Sequence, residues 1–162
     1  MSTMLIAYDG SEQAGRAIAY AARMLKPATI EVLTAWEPVA RQAARAVSPT
    51  GMHQPVIHAE EDPAYEEALR VCREGVAIAE AQGLTGHAHL VECTTSIGQA
   101  IVDAAKELDV DVIVAGTRAI SGLRSLWSTS TADHIVRNAG LPVFIVPPED
   151  DADTVADHGT DI

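Results

Sequence analysis

Three short apolar runs constrain this chain more than any other feature: residues 4–8 (MLIAY), 110–115 (VDVIVA) and Val143–Val146 (VFIV). They are apolar at nearly every position rather than every second one, so each reads as a strand covered on both faces. Between them lie segments whose apolar residues follow helical spacing. Read in order, the chain spells βαβαβαβαβ, with further strands expected at residues 29–35 and 87–93. Strands separated by helices require right-handed crossovers, so the fold class is α/β, a doubly wound and mainly parallel sheet. Ligands of such sheets bind beyond the carboxyl ends of the strands. That places Asp9, Ala35 and the loop after Gly116 along one edge of the molecule.

The helices have legible ends. Ser11 is placed to cap the first, whose inward positions are Ala14, Ile18, Ala21, Ala22 and Leu25, and Pro27 closes it. The second spans residues 64–82 with Tyr65, Leu69, Cys72, Val76 and Ala79 on one face and Gly83 at its end. Thr95 or Ser96 caps a third helix carrying Ile97, Ile101, Ala104, Ala105 and Leu108. The last runs over residues 131–138 and stops at Gly140 and Pro142. A long connection over residues 36–63 contains Pro38, Pro49, Pro55 and Pro63, with a brief helix over 41–47. Connections of that length in a compact domain are usually functional or disordered.

Charge and cysteine content narrow the function. A formal net charge of -12 and a pI near 4.7 argue against nucleic acid or an anionic membrane as partner. Glu149, Asp150, Asp151, Asp153, Asp157 and Asp161 crowd the end, so residues 149–162 read as a disordered acidic tail and 1–148 as one domain. Cys72 and Cys93 lack metal-ligand spacing and read as reduced core residues of a cytoplasmic protein. The amino terminus has no basic segment ahead of an apolar one, and no stretch approaches a membrane span. Phosphate-binding GxxxxGK[ST], GxGxxG after a strand, GxSxG and HExxH are all missing, so catalysis finds little support.

The YDGS turn after the first strand, the strand ending VDVIVAG, and the block GxRxxxGLxxL…STA…RNAGLPVFIVP together resemble the universal stress protein family over about residues 2–148. The resemblance implies a Rossmann-like five-stranded parallel sheet of order 3-2-1-4-5. It also implies a homodimer through the last strand, Val143–Val146, and a site for ATP or a related adenine nucleotide with Mg²⁺. Ala7, Tyr8, Asp9 and Ala35 would then hold the nucleoside, with Asp9 on the metal side. Gly116, Arg118, Ala119, Gly122, Thr129, Ser130 and Thr131 would surround the phosphates. The nucleotide-binding members carry G-x₂-G-x₉-G-[S/T]. Set from Gly116, that register puts Ala119 and Thr129 where the second and third glycines belong, while Ser130 keeps the hydroxyl.

Those departures matter because phosphate loops use glycine where φ is positive or where backbone touches phosphate oxygens. Gly122 and the hydroxyls of Ser128–Thr131 offset the loss, and Arg118 and Arg124 bring positive charge. Three functions therefore stand: a nucleotide-binding regulatory module, a dimeric scaffold of the same fold without nucleotide, and a slow ATPase. Each residue also has a plainer reading. Asp9 can simply shape its turn, Ser130 to Asp133 spells a capping box, and Arg118 can be a solvated loop residue. Trp36 and Trp127 suit packing, and His53, His58, His87 and His89 read as ordinary surface or satisfied histidines.

Overall fold

The structure is a computed structural model that describes residues 2–46, 58–116 and 129–147. Five strands form one parallel sheet: β1 (Thr3–Ala7), β2 (Thr29–Trp36), β3 (Thr85–Glu92), β4 (Val112–Gly116) and β5 (Val143–Val146). Their order is β3-β2-β1-β4-β5, the order the family resemblance implies. The chain adds β2 and β3 on one side of β1, then returns to place β4 and β5 on the other. The switch point therefore lies between β1 and β4. All five carboxyl ends face the same edge.

Helices cover both faces. Helices α1 (Glu12–Leu25) and α3 (Pro63–Ala81) enclose Met4, Ile6, Ile30, Val32 and Val114. Helices α4 (Ile97–Glu107) and α5 (Thr129–Asn138) enclose Leu5, Leu33, Ile113 and Ile135. Adjacent residues of β1 thus enter opposite cores, which is why the run is apolar throughout; each such side chain contributes roughly 1.5–3 kcal/mol by leaving water. Ser11 caps α1 through Ala14 N, and Ser96 rather than Thr95 caps α4 through Gln99 N. Gly83, at φ +82, follows the end of α3 in the left-handed conformation that an L side chain resists.

Three local readings change. The buried stripe of α3 is Ala68, Cys72, Gly75 and Ala79, with Tyr65, Leu69 and Val76 at its flanks. Small residues on that stripe bring the helix close to the sheet: a Cβ on Gly75 would stand 2.8 Å from the Tyr8 ring and 2.9 Å from Val32. Helix α5 begins at Thr129, so Ser130 and Thr131 lie in its first turn and Ser130 is not the cap. The connection after β2 contains the brief helix expected there, beginning two residues earlier. It holds α2 (Val39–Ala46) and a short 3₁₀ turn, Ala59–Glu61. The tail, residues 149–162, lies outside the described residues, as do Arg118, Ala119, Gly122, Arg124 and Trp127.

One polar cluster interrupts the sheet. Glu31 on β2 is buried, and its carboxylate meets His87 Nδ1 at 3.0 Å and His89 Nε2 on the edge strand β3. Burial alone would raise the Glu31 carboxyl, but hydrogen bonds to the two imidazoles and their charge outweigh it and hold it below the ordinary value. Both histidines are thus satisfied by a partner that has no neighbour in sequence. Among the described residues, no helix is long and apolar enough to cross a membrane.

Candidate functional site at the carboxyl edge of the sheet

The site begins where β1 stops. Its ladder with β2 ends as Tyr8 N donates to Leu33 O at 2.8 Å, and Gly10, at φ +82, turns the chain into α1. Asp9 fixes that turn: its Oδ1 accepts from Ser11 N at 3.0 Å and from Ser11 Oγ at 2.5 Å. The plain reading of Asp9 as a turn-shaping residue therefore holds, and the same bonds fix where its carboxylate stands.

Strand β2 continues past β1 to Trp36. In a parallel ladder, residues two apart present their peptide groups to the same side, so Ala35 faces the same way as Leu33. At that level β1 has already turned away, and the peptide edge of Ala35 meets a cleft instead of a strand. Thr34 Oγ1 donates to Tyr8 O at 2.9 Å, taking the acceptor that the ladder would otherwise have reached.

The cleft is about 800 Å³ in volume, within the range of small-molecule and cofactor sites. Ala7, Tyr8, Asp9 and Ala35 all line it, together with Leu33, Thr34, Trp36 and Glu37. Val39 and Gln42 of α2, Pro63, Ala64, Glu67, Ala68 and Val71 of α3, and Cys93, Thr95 and Ile97 complete the walls. Trp36 is buried and meets the Tyr65 ring edge-on at 5.2 Å, so it packs and lines the cleft at once. Burial pushes the Tyr8 phenol well above its ordinary value, and the hydrogen bond it donates to Glu74, at 2.8 Å, adds to the shift. That hydroxyl is a neutral donor, not a base.

Sequence patterning missed the residue that builds the far wall. Asp62 is buried; its Oδ1 accepts from Ala64 N at 2.9 Å, capping α3, and its Oδ2 accepts from Val39 N at 3.1 Å at the start of α2. One carboxylate thus holds α2 against α3. The first bond has a local signal, Asp followed by Pro at the head of a helix. The second spans 23 residues and has none. Arg41 adds an ion pair to Glu92 at 2.6 Å and donates to Cys93 O at 3.0 Å, fastening α2 to the end of β3.

Gly116 closes β4 beside the end of β1, outside the lining of the cleft. Its φ is not in the left-handed region, and a Cβ there would make ordinary contacts, 3.5 Å from Ala17 Cβ and 3.6 Å from Gln13 O. Among the described residues, nothing in the packing requires a glycine at this position. Thr129, Ser130 and Thr131 form the first turn of α5, whose N–H groups give a helix N-terminus its positive potential.

The rim is acidic. Glu67 is exposed and held below the ordinary carboxylate value by hydrogen bonds from Arg70, at 2.6 and 2.9 Å. With Asp9 and Glu37 it gives the cleft three carboxylates. Among the described residues, no group of three or more metal-ligating side chains converges on a common point.

The family model described as the universal stress protein family matches residues 1–147. A universal stress protein of Thermus aquaticus is 34% identical over 152 residues, covering 89% of this chain and 97% of its own. The universal stress protein of Archaeoglobus fulgidus in complex with dAMP superposes with a TM-score of 0.62 at 24% identity, over 90% of this chain and 97% of that one. A universal stress protein family member from Arabidopsis thaliana with AMP bound gives 0.64 at 14% identity, over 97% of each.

Proposed function

The chain belongs to the universal stress protein family, and on that premise we propose that it is a homodimeric regulatory module that binds an adenine nucleotide at the carboxyl edge of its sheet. The observation that supports this most is the peptide edge of Ala35, left facing an 800 Å³ cleft because β2 outruns β1. One N–H and one C=O side by side match the acceptor and donor on the pairing edge of adenine. Related structures hold dAMP and AMP.

Charge assigns the two ends of the ligand. Asp9, Glu37 and Glu67 repel phosphate and accept from sugar hydroxyls or an exocyclic amine, so the nucleoside lies in the cleft over Ala7 and Tyr8. The phosphates then point towards the switch point, to Gly116 and the α5 N-terminus with Ser130 and Thr131. Arg118, Ala119, Gly122 and Thr129 complete that end on the family register. Glycine at 116, which packing does not demand, is explained by close approach of an anion. A Mg²⁺ ion accompanying ATP would take a hard oxygen from Asp9. The homodimer forms through β5, which is the edge strand of the sheet among the described residues, pairs there with β4 and exposes Ile145.

The direct test is the nucleotide content of freshly purified protein, read by anion exchange of the supernatant after denaturation and backed by an AMP and ATP titration. An adenine nucleotide approaching one per chain is expected. An empty eluate with a null titration overturns the reading. A second reading, a dimeric scaffold without nucleotide, is favoured by Ala119 and Thr129 standing at glycine positions. It predicts that A119G/T129G creates binding that the parent chain lacks.

A further inference from the structure

Helix α1 carries a positive stripe on an otherwise strongly acidic chain. Arg16, Tyr20 and Arg23 are spaced by four and three residues and so share one face. Both guanidinium groups lie against the Tyr20 ring, Arg16 at 5.4 Å and Arg23 at 4.5 Å from its centroid. Lys26 follows at the end of the helix. Among the described residues, the ion pairs involve Arg41, Arg70 and Arg137 and two histidines, and none uses Arg16 or Arg23. Two guanidinium groups gathered on one partly exposed aromatic ring, outside the ion pairs found among the described residues, form a positive face.

The end of the chain leaves from that face. Arg16 Nη1 donates to the carbonyl oxygen of Pro147 at 3.4 Å. The segment that follows, residues 149–162, has six acidic residues and no lysine or arginine. Arg16 and Lys26 are separated by roughly 15 Å along the helix axis at ~1.5 Å per residue. Fourteen residues reach well beyond that at roughly 3.3 Å each. A tether this short gives an effective concentration on the order of millimolar, so weak charge pairing is enough for occupancy.

We propose that the Arg16–Tyr20–Arg23 face of α1 is the docking surface for the chain's own acidic segment, residues 149–162. The contact is intramolecular and electrostatic, and it does not depend on whether the cleft holds a nucleotide. It covers the Arg16–Tyr20–Arg23 face, so an acidic peptide from another protein reaches that face of α1 only by displacing the segment.

The test uses the full chain, nitrogen-labelled, in dilute solution. At ~0.1 M NaCl, where screening acts over about 10 Å, the amides of residues 149–162 should be displaced from the positions of an unstructured peptide. At ~1 M NaCl, where that length falls to about 3 Å, the displacement should drop to about a third or less. R16Q/R23Q should abolish it. Converting all six tail acids to their amides should move the Tyr20 and Arg23 resonances in a chain whose domain is untouched. Tail amides at unstructured positions at the lower salt, or unmoved by R16Q/R23Q, overturn the proposal. A displacement that scales with protein concentration overturns it too, since it assigns the segment to a second copy.

Discussion

Asp62 concentrates two structural tasks in one buried carboxylate, and its neighbours show how much rests on single atoms. Asp62→Ala removes the cap of α3 and the tie to Val39 N together. A helix cap alone is worth about 0.5–2 kcal/mol. The variant should therefore lose about 1–3 kcal/mol in urea unfolding, and protease should cut α2 before the rest of the domain. Gly75 is the converse case, a position defined by what it lacks. The Cβ of Gly75→Ala would fall 2.8 Å from the Tyr8 ring in a packed core. A cost of about 1–3 kcal/mol follows from overpacking. Because Tyr8 also lines the cleft, the same variant should weaken AMP binding in a titration if the nucleoside lies there. An unchanged affinity would separate the Tyr8 ring from the site.

At the scale of elements, the pairing of β2 with its two neighbours sets both the cleft and a pH response. The Glu31 carboxyl is held below its ordinary value in the folded chain. Its contribution is therefore present above the unfolded carboxyl value and is lost as pH falls through the folded one. Glu31→Gln should cost about 1–2 kcal/mol at neutral pH, and the gap to the parent should close as pH falls towards 3, read from urea midpoints. The strands and most helices were legible because their signals are local: runs such as MLIAY, caps such as Ser11, stops such as Gly83. The partnership of Glu31 with His87 and His89 was not, since it spans 56 and 58 residues and no window contains it. Sequence placed Asp9 and Ala35 at one edge correctly. It placed a brief helix in the connection but did not show that this helix and Asp62 wall the cleft, because the bond from Val39 N to Asp62 spans 23 residues.

For the molecule as a whole, ligand binding and folding are linked. A nucleotide that binds only the folded chain stabilises it by about 2.7 kcal/mol at a hundredfold excess over Kd. In a domain of this size that should raise Tm by roughly 5–10 °C, measured with AMP against inosine monophosphate, whose pairing edge is reversed. Equal shifts from both would remove the Ala35 peptide edge from recognition. A last consequence comes from the carboxylate that clasps α2 to the head of α3. The chain is pinned on either side of residues 47–57, at Ala46 through α2 and at Ala59–Glu61 through the turn before Asp62. Closing a loop between fixed posts costs only about 0.6 kcal/mol more for each doubling of its length. Foreign sequence grafted between those posts, an epitope or a small reporter, should therefore be carried without unfolding its host, making this clasp a natural attachment point for cargo.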